Sequence, residues 1–286
     1  MSVRPVLLSF GHGYSARALA RRLLPDGWRV IGTTRSDEKA ATLAKEGVEP
    51  VLWPPDDPSA LFAGVSHVLI SAGPDAEGDP VLRHCGAAVR EHAASLSWVG
   101  YLSTTGVYGD RQGGWVDEAS ECVPATARGR ARVDAETSWQ AIPGLPLHIF
   151  RLAGIYGPGR GPFSKVRNGT ARRIVKDGQV FSRIHVEDIA SVLEASIAQP
   201  RAGAIYNVCD DDAAPPQDVI AHAAELLGLP LPPEVPIADA EMSAMARSFY
   251  AESKRVSNRL IREELGVDLR YPSYREGLAA LLEAEG

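Results

Sequence analysis

The sequence predicts an α/β fold: a doubly wound parallel sheet with a small C-terminal lobe. Three observations carry this. Short apolar runs alternate with helical patterns through the first half. A glycine turn, Gly11-His-Gly13-Tyr-Ser-Ala16, joins the first apolar run to the first helical pattern. After about residue 155 the chain breaks into loops rich in Gly, Pro and Asp, such as Gly157–Pro162, Asp210–Pro216 and Gly228–Pro236.

Val6–Phe10 (VLLSF) is apolar at all positions but Ser9, as a strand buried on both faces would be. Ser15–Leu24 places Ala16, Leu19, Ala20 and Leu23 on one helical face and its arginines off it. Strands follow at Arg29–Thr34, Val48–Trp53, His67–Ser71, Val99–Ser103 and Leu147–Leu152, with helices at Asp37–Glu46, Leu82–Ala94 and Ala127–Gln140 between them. Helices at Gln217–Leu227, Ser253–Leu265 and Tyr274–Ala284 complete the pattern. The expected division is a dinucleotide-binding domain over 1–155 and a C-terminal part over 156–286, mostly a substrate lobe packed on the same sheet.

The 286 residues are 45% hydrophobic and 23% charged, ordinary for a globular chain long enough to bury a sizeable core. A net charge of −6 argues against nucleic acid as a partner. Cys85, Cys122 and Cys209 are far apart and show no zinc-ligand spacing, so free thiols and no metal are expected. No apolar run nears the roughly 20 residues of a membrane span, and the first residues lack the apolar core of a signal peptide. The expectation is a cytoplasmic protein with no membrane partner.

The glycine turn has the GxGxxG/A pattern of a Rossmann-type dinucleotide site. Gly11 allows the tight turn, Gly13 lets main-chain N–H groups approach a pyrophosphate, and a small residue at 16 lets helix and strand pack closely. An NAD site usually carries an acid at the tip of the second strand. Here the tip reads Thr33-Thr34-Arg35. Arg35 suits a 2′-phosphate, so NADP(H) is the preferred cofactor and NAD(H) the second choice. The alternative is a solvated Arg35 with Asp37 serving the ribose.

Further along stand Leu102–Gly109 (LSTTGVYG), Arg151–Gly159 (RLAGIYGPG), Arg183–Ile189 (RIHVEDI) and Tyr206-Asn207-Val208. With the glycine turn, this ordered set resembles the extended short-chain dehydrogenase/reductases, the NAD-dependent epimerase/dehydratase family, over nearly the whole chain. The resemblance implies a cofactor bound along Gly11, Gly13, Tyr14, Ser15, Ala16, Thr34, Arg35, Ser71, Ala72, Ser103 and Tyr156. It places Thr104 at the family's Ser/Thr, which bonds the substrate oxygen. It implies oxidoreductase, epimerase or dehydratase chemistry on a small polar or sugar-nucleotide-like substrate, and a homodimer through the helices flanking the active-site segment.

One departure is serious. The family's Tyr-x-x-x-Lys lies four residues before a Glu on the helix after the fifth strand. Counting back from Glu136 puts Arg132 in place of the Lys and Arg128 in place of the Tyr. Arginine, with a pKa above about 12, has no comparable proton to give. Arg132 can still hold ribose hydroxyls, and a bound anion would relieve the repulsion of two like charges one turn apart. The plain alternative is a solvated face with Arg132 paired to Glu136. A nucleic-acid role for RGRAR lacks interleaved aromatics. Tyr108, Tyr156 and His185 are candidates to supply the missing proton, and Lys165 and Arg183 to bind an anionic substrate. The second class of reading is a non-catalytic, dinucleotide-binding sensor.

Overall fold

The computed structural model describes residues 4–285. Seven parallel strands form the sheet: β1 (Val6–Phe10), β2 (Arg29–Thr34), β3 (Glu49–Leu52), β4 (His67–Ile70), β5 (Trp98–Thr104), β6 (Leu147–Leu152) and β7 (Ile205–Val208). Their order is β7-β6-β5-β4-β1-β2-β3. The order reverses between β1 and β4, where a doubly wound sheet opens a crevice at its carboxyl edge. The helices are α1 (Tyr14–Leu23), α2 (Asp37–Lys45), α3 (Pro80–His92), α4 (Ala127–Gln140) and α5 (Val186–Ala198).

Two apolar layers sandwich the sheet. Leu7, Leu69, Trp98 and Phe150 pack with α1 and α5 on one face; Leu8, Val68, Tyr101 and Ile149 pack with α3 and α4 on the other. This explains why β1 is apolar at every position but Ser9. Gly100 makes room for a neighbour: a Cβ there would stand 2.1 Å from the Trp98 ring. Asp79 ties the α3 and α4 side together. One carboxyl oxygen caps α3 through the Val81 and Leu82 N–H groups, and the other accepts the Trp139 indole N–H at 3.0 Å.

The C-terminal part contributes β7 to the main sheet, α5 to its helical layer, and short strand pairs that build one wall of a cavity. Two elements differ from expectation. The helix expected over Ser253–Leu265 is a strand at Arg255–Val256 and a short helix at Arg259–Glu263. The start of that segment is held extended because its side chains are bonded elsewhere. Ser253 Oγ accepts the Val180 N–H and donates to the Gly178 carbonyl, and Lys254 donates to the Gly109 carbonyl. In the other direction, α5 went unread although Val186, Ile189, Ala190 and Leu193 recur at helical spacing.

Candidate active site

The glycine turn sits at the carboxyl end of β1. Gly11 has φ +72°, and a Cβ there would lie 2.8 Å from the Ala72 main-chain nitrogen, so no side chain fits. Its N–H donates to Thr33 Oγ1 at 2.8 Å, and the His12 N–H donates to the Thr33 carbonyl, which fastens the turn to β2. Gly13 caps α1 with extended backbone, no side chain bonds the first-turn N–H groups, and the first turn holds no acid. A Cβ at Gly13 would meet only the Gly11 carbonyl oxygen, at 3.6 Å. The helix end therefore presents open donors and a positive dipole, which is what a pyrophosphate needs. Ser15 and Ala16 are buried against the sheet. His12 is buried beneath the turn, and burial pushes its pKa down to about 4.

Thr34, Arg35, Ser71 and Ala72 lie at the same edge. Arg35 is exposed just beyond β2, and Ser36 caps α2 immediately after it. The Ser71 and Ala72 N–H groups both donate to the Phe10 carbonyl. Tyr14 reaches across the edge and donates to the Pro158 carbonyl at 3.0 Å, with Arg160 stacked on its ring.

The two arginines of α4 point to different places. Arg132 Nη1 donates to the Leu102 carbonyl at 2.8 Å and to the Tyr101 hydroxyl at 3.0 Å. Its Nη2 stands 2.9 Å from where a Gly73 Cβ would be, so this guanidinium closes over the segment that follows β4, on the dinucleotide side. Arg128, in the first turn, is exposed and stacks on Phe249 with 4.7 Å to the ring centroid. The pairing of Arg132 with Glu136 is absent. Glu136 is buried and bonds Arg151 of β6 at 2.8 Å and the Ser103 hydroxyl. Buried acid sought a buried base, and the helix face turned inward at that point.

That network removes several candidates from the site. The Ser103 hydroxyl is committed to Glu136. The Tyr108 hydroxyl donates to Asn207 Oδ1 at 2.7 Å and accepts from Arg151 at 3.0 Å; its ring is fully buried, and burial pushes its pKa up to about 12. It ties β7 to the core and has no proton to offer a substrate. His185 Nδ1 caps α5 by accepting the Glu187 N–H, and its ring is packed between Tyr156 and Tyr271. Burial lowers its pKa to about 4. Lys165 is exposed on the short helix Phe163–Arg167, away from the cavity.

The cavity measures about 450 Å³ and opens beside the carboxyl end of β5. Thr104, Arg128, Tyr156 and Arg183 line it. The Thr104 oxygen accepts the Gly106 N–H at 3.1 Å, which leaves its own proton free to donate. The Tyr156 hydroxyl donates to the Ser273 carbonyl. Among the further lining residues, none of which the sequence marks as part of the site, are Phe249, Tyr250, Glu252 and Lys254. Lys254 bonds Glu252 at 2.7 Å, both nearly buried. Only tertiary structure brings Lys254 to the same cavity as Thr104. Among the described residues no group of three His, Cys, Asp or Glu side chains could hold a metal, and no helix is long and apolar enough to cross a membrane.

No family model matches the chain. A solved structure of a functionally unknown conserved protein from Silicibacter pomeroyi DSS is 60% identical, with a TM-score of 0.94 over 99% of this chain and 100% of that one. This chain belongs to that protein's family. A protein of Methylobacillus flagellatus, provisionally named an NAD-dependent epimerase/dehydratase, is 26% identical with a TM-score of 0.76 over 99% of both chains. Among curated proteins, YeeZ of Escherichia coli K12 is 28% identical over 275 residues, covering 92% of this chain and 94% of YeeZ. A 3-diazoavenalumate denitrifying reductase of Streptomyces is 25% identical over 295 residues, covering 94% of this chain and 91% of that one. The structural neighbours are thus epimerase/dehydratase-type proteins with the same Rossmann-type fold. Two at 16% identity are a human epimerase family protein solved with NADPH, TM-score 0.78 over 97% of this chain and 99% of that one, and a Bacillus cereus UDP-glucuronic acid 4-epimerase solved with NAD, TM-score 0.75 over 98% and 99%.

Proposed function

We propose that the chain is an NADP(H)-binding, atypical short-chain dehydrogenase/reductase acting on a small polar substrate in the cavity beside α4. The observation that carries this is the glycine turn: Gly11 is pressed on Ala72, and the open first turn of α1 lies next to it. The named relatives, a reductase and an epimerase/dehydratase, support the same class of chemistry.

In this reading a bound nicotinamide supplies or accepts the hydride. Arg35, with no acid at the tip of β2, meets the 2′-phosphate. Arg132, whose guanidinium closes over Gly73, would hold the ribose hydroxyls. Thr104 donates its hydroxyl proton to the substrate oxygen and fixes its orientation. Arg183 stands on the cavity wall as an anion site. Arg128 replaces the family's phenol and transfers no proton at neutral pH. A homodimer through α3 and α4 and a cytoplasmic setting accompany the proposal; light scattering of the purified protein checks the dimer.

Calorimetric titration with NADPH, NADP+, NADH and NAD+ tests it. NADPH should bind at least tenfold tighter than NADH, and Arg35→Ala should erase that preference. A variant that kept the preference would return the cofactor choice to Asp37. No binding of any dinucleotide would end the reading. The second reading, a dinucleotide sensor without turnover, is favoured by Arg128 standing where a phenol would act. Tight NADPH binding with no oxidation across a panel of carbonyl compounds and sugar nucleotides would support it.

A further inference from the structure

The cavity's charge and its hydrocarbon lining narrow the substrate class, an inference that rests on the dinucleotide reading above. Apart from tyrosines, its ionisable lining groups are Arg128, Arg183, Glu252 and Lys254. Glu252 and Lys254 are paired and cancel. Among the described residues Arg128 has no carboxylate partner, and Arg183 donates only to the Phe181 and Ala214 carbonyls. Asp210 lies near Arg183, and burial pushes its pKa up to about 8 against the pull of that guanidinium, but among the described residues the two form no ion pair. Arg128 also sits in the first turn of α4, where no acid offsets the positive helix end and where Thr126 and Gly129 border the cavity. Two guanidinium groups without an ion-pair partner among the described residues face one space.

Beside the hydroxyls of Thr104, Thr105, Thr126, Ser182 and Ser248, much of the remaining wall is apolar. Ile155, Val180, Phe181, Phe249 and Val256 line it, and Phe181 meets Tyr250 edge-on with centroids 5.5 Å apart. Planar rings and arginines stacked on rings suit a flat, apolar ligand body. A sugar nucleotide presents hydroxyls over most of its length and needs hydrogen-bonding partners for them. A cavity of about 450 Å³, shared with the reacting end of a dinucleotide, suits a small ligand better than a sugar and its nucleotide together.

We propose that the cavity takes a small aromatic carbonyl compound bearing a carboxylate: the ring against Phe181, Phe249 and Tyr250, the carboxylate on Arg128 and Arg183, the carbonyl oxygen toward Thr104. The occupant is an aryl acid and not a sugar nucleotide.

The test is calorimetry on the full chain, first with NADPH alone, then with three probes added with and without saturating NADP+: 4-formylbenzoate, its neutral methyl ester, and UDP-glucose. The acid should bind at least tenfold tighter than the ester. Arg128→Met, an exposed position that the fold tolerates, should remove that preference. Phe249→Ala should weaken acid and ester by similar factors. Equal binding of acid and ester, tighter binding of UDP-glucose than of the acid, or binding of none of the three while NADPH binds would each overturn the proposal and leave the dinucleotide reading intact. Failure of NADPH itself to bind would overturn the reading beneath it and this proposal with it.

Discussion

The glycine turn and the α4 cavity are built in opposite ways. The turn is six consecutive residues, and its working groups are main-chain N–H donors placed by backbone conformation. The cavity is assembled from five separated segments, around residues 104–106, 126–129, 153–156, 180–183 and 246–256, and its working groups are side chains. A site made of backbone depends on where glycine is allowed. A site made of side chains depends on what holds each segment in place, and here a buried ion pair between α4 and β6 does much of that.

The largest expected effect follows from that ion pair. Arg151→Met leaves Glu136 buried and unpaired, which should cost about 3–5 kcal/mol in chemical denaturation. It should also loosen Ser103 and Tyr108, which share the network. A loss below about 1 kcal/mol would mean that the cavity wall does not depend on this pair.

The next contrast lies inside the turn. Gly11→Ala forces a residue with a Cβ into a positive φ against the Ala72 backbone, and should cost about 1–3 kcal/mol of stability along with dinucleotide binding. Gly13→Ala has room for its methyl within the protein, so the melting temperature should hold while NADPH affinity drops at least tenfold. Equal effects of the two variants on stability would blur the distinction between a turn-forming and a ligand-facing glycine.

Two pH dependences separate the regions further. His12 has a native pKa near 4 against 6.5 unfolded. Between those values the unfolded chain binds more protons, so stability falls as pH drops through that window. Denaturation at pH 7 and pH 5 should show a smaller difference in His12→Leu than in wild type, by up to about 2 kcal/mol. His67 and His185, shifted alike, retain the rest. Asp210 runs the other way. Its native pKa near 8 against 3.8 unfolded means that the native state binds more protons, so stability falls as pH rises from about 4 to 8. Asp210→Asn should therefore gain on wild type as pH rises and match it near pH 4. A gain that shrank with pH would contradict the buried, unbonded carboxyl.

The same contrast explains what the sequence could tell. β2 and β6 match to the residue because their apolar runs are local. The glycine turn was legible because strand, glycines and helix are contiguous. Glu136 misled because i,i+4 spacing suggested Arg132, while its partner, Arg151, lies on another strand. Tyr108 misled for the same reason: its partners, Asn207 and Arg151, are distant in the chain. Glu252 and Lys254 were invisible because nothing local marks them, and Ser253–Leu265 was read as one helix because contacts to residues 109, 178 and 180 are not written in its periodicity.

Arg128 and Arg132 join the two regions, one turn apart on α4, and the most direct measurement compares them. NADPH titrations of Arg132→Met and Arg128→Met, with thermal melts confirming that both fold, should show affinity falling at least tenfold in the first and staying within about twofold of wild type in the second. Equal losses in both, or none in Arg132→Met, would contradict the division of α4 into a dinucleotide-facing and a substrate-facing arginine.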